Sequence, residues 1–403
     1  MTSTRVVAAA ASTPQRRRTL PVLVPVLVGY ALSRLWSAAV VLRATDLQLP
    51  SVWTGEHPGY FDMAVLWDAQ WYRTIAERGY PTTLPVDAAG VVQQNPWAFF
   101  PGFPMTTRLV MVVTGLPFSV AAVLLNVVLG ACTVVVLLRL LTRVAGQRVA
   151  VGAVVLLCTF PASPVLQIAY SESLALLLVV LALWWLVERR YLLCGVAVVA
   201  LSLSRPVVAP FAVVVLVHLA VRWRAARSAA DGDPFPRAER VQVVGLGLLA
   251  AASTLLWPAL VGVVTGVPDA FRLTQGAWRT SGRVEPFEQA LGIVRLLWGD
   301  SGPWYLLLGA LVLAALVLSP WGGRLGPELQ AWMVAYPAYL LAATEPWTST
   351  FRFLLLAFPL GAMAAIAARW RWAVAVLAVA GLLLQVRWVD ELLVFTPPAD
   401  YPP

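Results

Sequence analysis

The sequence predicts an all-α, polytopic transmembrane helical bundle of about eleven spans, with a large first outer loop that carries interfacial helices. Three observations predict it. Hydrophobic residues fill 60% of 403 positions and charged residues only 12%. The mean hydropathy is +0.78. Apolar runs of membrane-crossing length recur along the chain. A soluble domain carries about 25% charged residues, so this chain has too little polar surface to coat a globule of its size.

A helix needs about 20 apolar residues to cross the hydrocarbon core. The candidate spans are 20–41, 118–138, 149–168, 173–187, 191–204, 207–221, 241–264, 304–318, 329–343, 351–367 and 372–389. Arginine-rich connections mark the cytoplasmic side, and under this count Arg16–Arg18, Arg139/Arg143/Arg148, Arg189/Arg190, Arg222/Arg224/Arg227 and Arg369/Arg371 all fall there. The other side receives the 42–117 loop, Tyr170-Ser171-Glu172, Ser204-Arg205-Pro206, the 265–303 loop and residues 345–350. The expected organisation is a cytoplasmic tail at 1–19, a front transmembrane module at 20–224, a polar cytoplasmic linker at 225–240 and a back module at 241–403. Most of the unusual polar residues share the outer side, which is where a site is expected.

Composition excludes several classes. All 29 basic residues are arginine, which with the abundant Ala, Val, Leu and Gly points to a GC-rich genome such as an actinobacterium's. The net charge of +9 sits in short loops between spans, where it orients a membrane protein and does not suggest nucleic acid. Cys132, Cys158 and Cys194 are isolated in apolar stretches, and His57 and His218 are the only histidines. No metal site, disulfide framework or cofactor is therefore predicted. The run after Arg18 is too long for a cleaved signal and lacks a small-residue cleavage site, so it reads as a retained span.

The first outer loop is the informative region. It reads LWDAQWYRTIAERGYP over 66–81 and NPWAFFPGFP over 95–104. On a helix, Trp67, Trp71 and Ile75 share one face at four-residue spacing, with Asp68 and Tyr72 on the neighbouring face. Such a helix would lie in the interface with its tryptophans toward lipid and Asp68 toward the protein, and Gly79-Tyr80-Pro81 stops it. The proline-aromatic run suits a re-entrant or interfacial turn packed against protein. The simpler reading of the same residues is an aromatic belt with Asp68 as a helix cap.

The WD-x-x-WY-x-x-I-A-x-x-GY run followed by AFFPGFP resembles the PIG-V-like mannosyltransferases of the GT-C glycosyltransferase superfamily. Tyr170-Ser171-Glu172-Ser173, Ser204-Arg205-Pro206 and Phe351-Arg352-Phe353 extend the resemblance, which covers residues 30 to 210 well and the rest loosely. Where that family often shows Arg-Tyr near its last spans, this chain has Arg352-Phe353. The resemblance implies a GT-C-like fold, a polyprenyl-phosphate sugar donor, usually mannose, and inverting transfer to a glycolipid or protein acceptor. It also implies that a first-loop aspartate, here Asp68, is the general base. The chemistry agrees, because an attacking hydroxyl must lose its proton and phosphate is already a good leaving group. Arginines suit the phosphate: Arg205 and Arg352 at outer helix ends, and Arg34 beside Ser33 inside the first span, where a charge needs a partner or a task. A buried ion pair, such as Arg34 with Glu172, is the alternative. Trp67, Trp71, Tyr72, Asp62 and Glu172 are candidate substrate contacts. Glu172 is equally explained as a carboxylate favoured at a helix start, and Asp62 and His57 as solvated loop residues. Glu345 reads as an outer loop residue and His218 as a buried side chain.

A transporter or lipid flippase is the rival class. It would need paired charges along several spans, broken helices near the midplane, or repeat symmetry, whereas the polar groups here gather at one end. The topology yields the first prediction. With the three native cysteines removed, Asp62→Cys should react with a membrane-impermeant thiol reagent in intact cells. Labelling only after permeabilisation would put the 42–117 loop in the cytoplasm.

Overall fold

The computed structural model describes residues 20–228, 233–279, 282, 285–345, 347–368, 370–395 and 403. The expected tail at 1–19 with Arg16–Arg18, part of the 225–240 linker, and Arg369 lie outside the described residues. Helices account for every named element, and the only β-pairing among the described residues is an isolated bridge between Val86 and Val92. The chain is a multi-pass membrane protein built as a helical bundle.

Helices Phe118–Ala145, Glu172–Val187 and Tyr191–Ser202 pack side by side. Arg237–Ser253 lies on Tyr191–Ser202 and on Ala209–Arg227, which in turn carries Pro327–Ala343. Leu20–Thr45 packs against Phe118–Ala145 and against Arg371–Leu392, while Pro359–Ala367 sits on Gln147–Cys158. Helices from after residue 240 are thus interleaved with those before it.

The count of eleven spans is not reproduced. Among the described residues five helices are long and apolar enough to cross a membrane, or seven if each of two bent pairs is one span. Gln147–Cys158, Glu172–Val187 and Tyr191–Ser202 fall short at 12, 16 and 12 residues. The 304–318 segment is the second half of a longer Glu288–Leu318 stretch. The bent pairs are Arg237–Ser253 with Leu256–Thr265, at 42°, and Thr350–Ala357 with Pro359–Ala367, at 70°.

Breaks within an apolar bundle expose backbone groups that must be satisfied by protein. After Cys158 that duty falls on a buried polar knot. Arg34 donates to Ser163 O at 2.6 Å and to Cys158 O at 3.2 Å. Gln385 Nε2 donates to Ser163 Oγ at 2.9 Å and to Phe160 O at 3.3 Å, and its Oε1 accepts from Ser37 at 3.0 Å. A second network ties the far end of Ala209–Arg227 to its neighbours. His218 meets Glu328 at 2.7 Å and Tyr191 at 3.2 Å, Tyr191 donates to Glu239 at 2.7 Å, and Arg222 bonds Glu239, Asp233 and Pro234 O. His218 is buried as expected, and it is also wired.

The PGFP turn shows why glycine stands at 102. Its N–H donates to Leu203 O at 2.6 Å. A Cβ there would lie 2.4 Å from Ser204 Oγ and 2.9 Å from Leu203 O. Glycine therefore lets the PGFP turn press directly on the break that precedes Arg205. Gly102→Ala should destabilise the fold by about 1–3 kcal/mol through overpacking, read as a lower thermal midpoint of the detergent-purified protein. An unchanged midpoint would mean that this contact is not tight.

Candidate active site

Asp68 is the first residue of the Asp68–Arg78 helix, where the helix dipole favours a carboxylate. It caps nothing: the N-cap is Trp67, with no side-chain cap hydrogen bond. Trp67 holds φ 56 and ψ −121, a conformation that side-chain-bearing residues rarely adopt and that persists only where surroundings enforce it. Ala169 N donates to Ala64 O at 2.9 Å, Tyr170 OH reaches Leu66 O at 3.3 Å, and the Trp67 ring leans on Trp53. Asn126, buried in Phe118–Ala145, donates to Ile168 O and Tyr170 O and so fixes the partner strip.

The tryptophans do not turn to lipid as the spacing suggested. Trp71 stacks on Phe99 at 5.9 Å and meets Trp278 edge-on at 5.3 Å. Tyr72 and Ile75 are buried. The aromatics of the AFFPGFP turn and of the 265–303 loop supply an apolar surface that outcompetes lipid for the helix. The Tyr72 hydroxyl donates to Ser171 Oγ at 2.9 Å, so it is already engaged within the protein.

Four charges from four places in the sequence meet here. Arg352 Nη2 pairs with Asp68 Oδ2 at 2.6 Å and its Nη1 with Glu172 Oε1 at 3.0 Å. Arg205 Nη1 pairs with the same Glu172 oxygen at 2.6 Å and lies 3.5 Å from Ser171 Oγ. Glu172 is wholly buried, Arg352 and Arg205 nearly so, and Asp68 is the most open of the four at 24% exposure. Burial works to lower the Arg205 pKa, but Glu172 outweighs it and holds the group above its ordinary value, so the guanidinium stays charged.

Aromatic faces complete the cradle. Arg352 sits 4.8 Å from the Tyr170 ring centroid, and both arginines stand over Phe353, at 4.7 and 4.9 Å, a favourable arrangement for guanidinium ions. Tyr336 donates to Phe353 O at 2.9 Å and Trp332 to Leu356 O at 2.8 Å, which anchors the bent segment carrying Arg352. Among the described residues Glu172 Oε2 and Arg352 Nε have no hydrogen-bond partner. Buried polar atoms of this kind are uncommon and call for an explanation such as a ligand.

The remaining candidates fall elsewhere. Arg34 does not pair with Glu172; its donors serve the carbonyls of a helix break and the hydroxyls of Ser33 and Ser163. A phosphate-binding role does not fit those contacts. Asp62 accepts from Gly59 N at 3.0 Å and caps the short Tyr60–Met63 helix. His57 is exposed beside Glu56. Glu345 lies within electrostatic reach of Arg279. Sequence reasoning missed Tyr336, Trp332, Asn126 and Trp278. The first two are aromatic residues in the apolar part of their helix and give no signal; Asn126, a lone amide inside a span, does.

Two guanidinium groups beside a partly open carboxylate suit the binding of a phosphate next to a hydroxyl that must lose a proton. Residues 17–223 match the model of the family described as Mannosyltransferase (PIG-V). No curated protein sequence matches the chain. Among solved structures it is similar to ArnT from Cupriavidus metallidurans bound to undecaprenyl phosphate, at 16% identity and a TM-score of 0.52, over 90% of this chain and 63% of that one. It is also similar to the Archaeoglobus fulgidus oligosaccharyltransferase in the apo form, at 14% identity and a TM-score of 0.45, over 93% of this chain and 56% of that one. The chain thus spans less than two thirds of the length of these neighbours. The likeness to ArnT shows a shared helical GT-C fold.

Glu172 is the stabilising centre of the cluster. Glu172→Ala leaves two buried guanidinium groups short of a counter-charge and should cost about 3–5 kcal/mol. The loss at the more exposed Asp68, on Asp68→Ala, should be smaller. Thermal unfolding of the two purified variants checks the ranking; equal losses would show that burial does not set it.

Proposed function

Because the chain belongs to the PIG-V mannosyltransferase family, we propose that this membrane glycosyltransferase moves a sugar, mannose first, from a polyprenyl-phosphate donor to a glycolipid or protein acceptor on the outer face of the cell membrane. The N-terminus is then cytoplasmic. The observation that carries the reading is the junction of Asp68 with Arg352 and, through Glu172, with Arg205.

In the reaction the acceptor hydroxyl oxygen attacks the anomeric carbon from the side opposite the phosphate. The new glycosidic C–O bond forms as the old bond from carbon to phosphate oxygen breaks, and the configuration inverts. The electron pair leaves with the phosphate, and the hydroxyl proton passes to Asp68, whose side chain is partly open. Arg205 and Arg352 offset the charge growing on the leaving oxygen. Preplaced donors of this kind are worth more in a low-dielectric site than in water. Glu172 holds both arginines. Trp67 and Trp71, half-buried on the same helix as or next to Asp68, flank the acceptor side, and Asp62 shapes the preceding turn.

Membranes containing the protein, given radiolabelled polyprenyl-phosphate mannose, should label a lipid or protein acceptor. Asp68→Asn keeps the shape of the side chain but is a far weaker proton acceptor, and should slow transfer by about 10²–10⁴-fold. A rate close to that of the unaltered protein would remove Asp68 as the base.

A further inference from the structure

The cluster holds two positive and two negative groups, and its shortest ion pairs are internal. A phosphate that takes up the Nη2 edge of Arg352 must therefore compete with the carboxylate bonded there. The two carboxylates are unequal. Glu172 is at 0% exposure and its Oε1 is shared by both arginines. Asp68 is at 24% exposure, is held through Oδ2 by Arg352 alone, and follows the strained Trp67 backbone. Arg352 Nε is also unpartnered among the described residues, so a phosphate oxygen arriving at this guanidinium finds the Nε–H free beside the Nη2 that faces Asp68.

We propose that the donor phosphate displaces Asp68 from Arg352, so that the catalytic carboxylate is freed for the acceptor hydroxyl only when the donor is in place. This rests on the polyprenyl-phosphate reading above. In the resting cluster the Oδ2 lone pairs of Asp68 are engaged by the guanidinium. With the phosphate seated on Arg352, Asp68 Oδ2 is released toward the side where the acceptor arrives. Donor binding then precedes productive acceptor binding, and Arg352 acts both as phosphate ligand and as the latch on the base.

The test is equilibrium titration with undecaprenyl phosphate in detergent, followed by intrinsic tryptophan fluorescence. The proteins are the unaltered chain, Asp68→Asn, Asp68→Ala, Arg352→Gln and the double variant Asp68→Asn/Arg352→Gln. Displacement predicts that both Asp68 variants bind about tenfold more tightly, since a charge-assisted hydrogen bond no longer has to be surrendered. That gain should disappear when Arg352 is already Gln, because the two residues then have nothing to exchange. Unchanged or weaker binding in both Asp68 variants overturns the proposal. So does a gain that persists in the Arg352→Gln background, which would signify general charge repulsion. Should the unaltered chain neither bind the lipid nor transfer from its mannosylated form, the donor reading itself falls, and this inference with it. Binding and transfer with no effect of Asp68 would sink the inference alone.

Discussion

A single buried carboxylate oxygen, Glu172 Oε1, accepts from two guanidinium groups that come from different breaks in the helical bundle. Placing an arginine inside a membrane protein is costly, and placing two side by side more so, because each must be stripped of water and they repel one another. Glu172 makes that arrangement tenable. The surrounding geometry reads as support for it. Tyr170 and Phe353 supply ring faces, Tyr336 and Trp332 pin the bent segment, Asn126 fixes the strip before Glu172, and Gly102 lets the PGFP turn reach the break before Arg205.

Phe353 illustrates how a departure from a family pattern can keep its physics. The hydroxyl expected at that position is absent, but the ring remains under both arginines. The quadrupole of an aromatic face does not need the hydroxyl. What is lost is one hydrogen-bonding group, in a site whose other polar contacts come from carboxylates and Ser171.

Asp68, Glu172, Arg205 and Arg352 were legible in the sequence because each is a charge placed where an apolar chain has no other use for one. The same rule also selected Arg34, whose donors meet the Cys158 and Ser163 carbonyls instead of the cluster. A guanidinium that serves backbone carbonyls at a helix break and one that awaits a ligand look alike in sequence; only the location of the break separates them. The span count failed for a related reason. The run from 149 to 168 reads as one span, yet Pro161 and Pro164 interrupt it, the helix stops at Cys158, and Ser163, Gln385 and Arg34 satisfy the Cys158 carbonyl. Two of those three residues lie more than a hundred positions away from it. Likewise the tryptophans of the first loop were assigned to lipid because Trp278 and Phe99, which claim Trp71, lie outside the local window.

The knot around Arg34 also sets an order in time. Residues of Leu20–Thr45 contact Arg371–Leu392 through Ser37 with Gln385, Trp36 with Leu382 O and Arg43 with Asp390. A ribosome delivers the first of these helices hundreds of residues before the second. Until residue 385 emerges, Ser37 has no Gln385 to bond and the carbonyls after Cys158 lack one of their donors. Earlier stages of synthesis must leave this corner of the bundle incomplete within the lipid, so this stitch ties an early helix to one made much later.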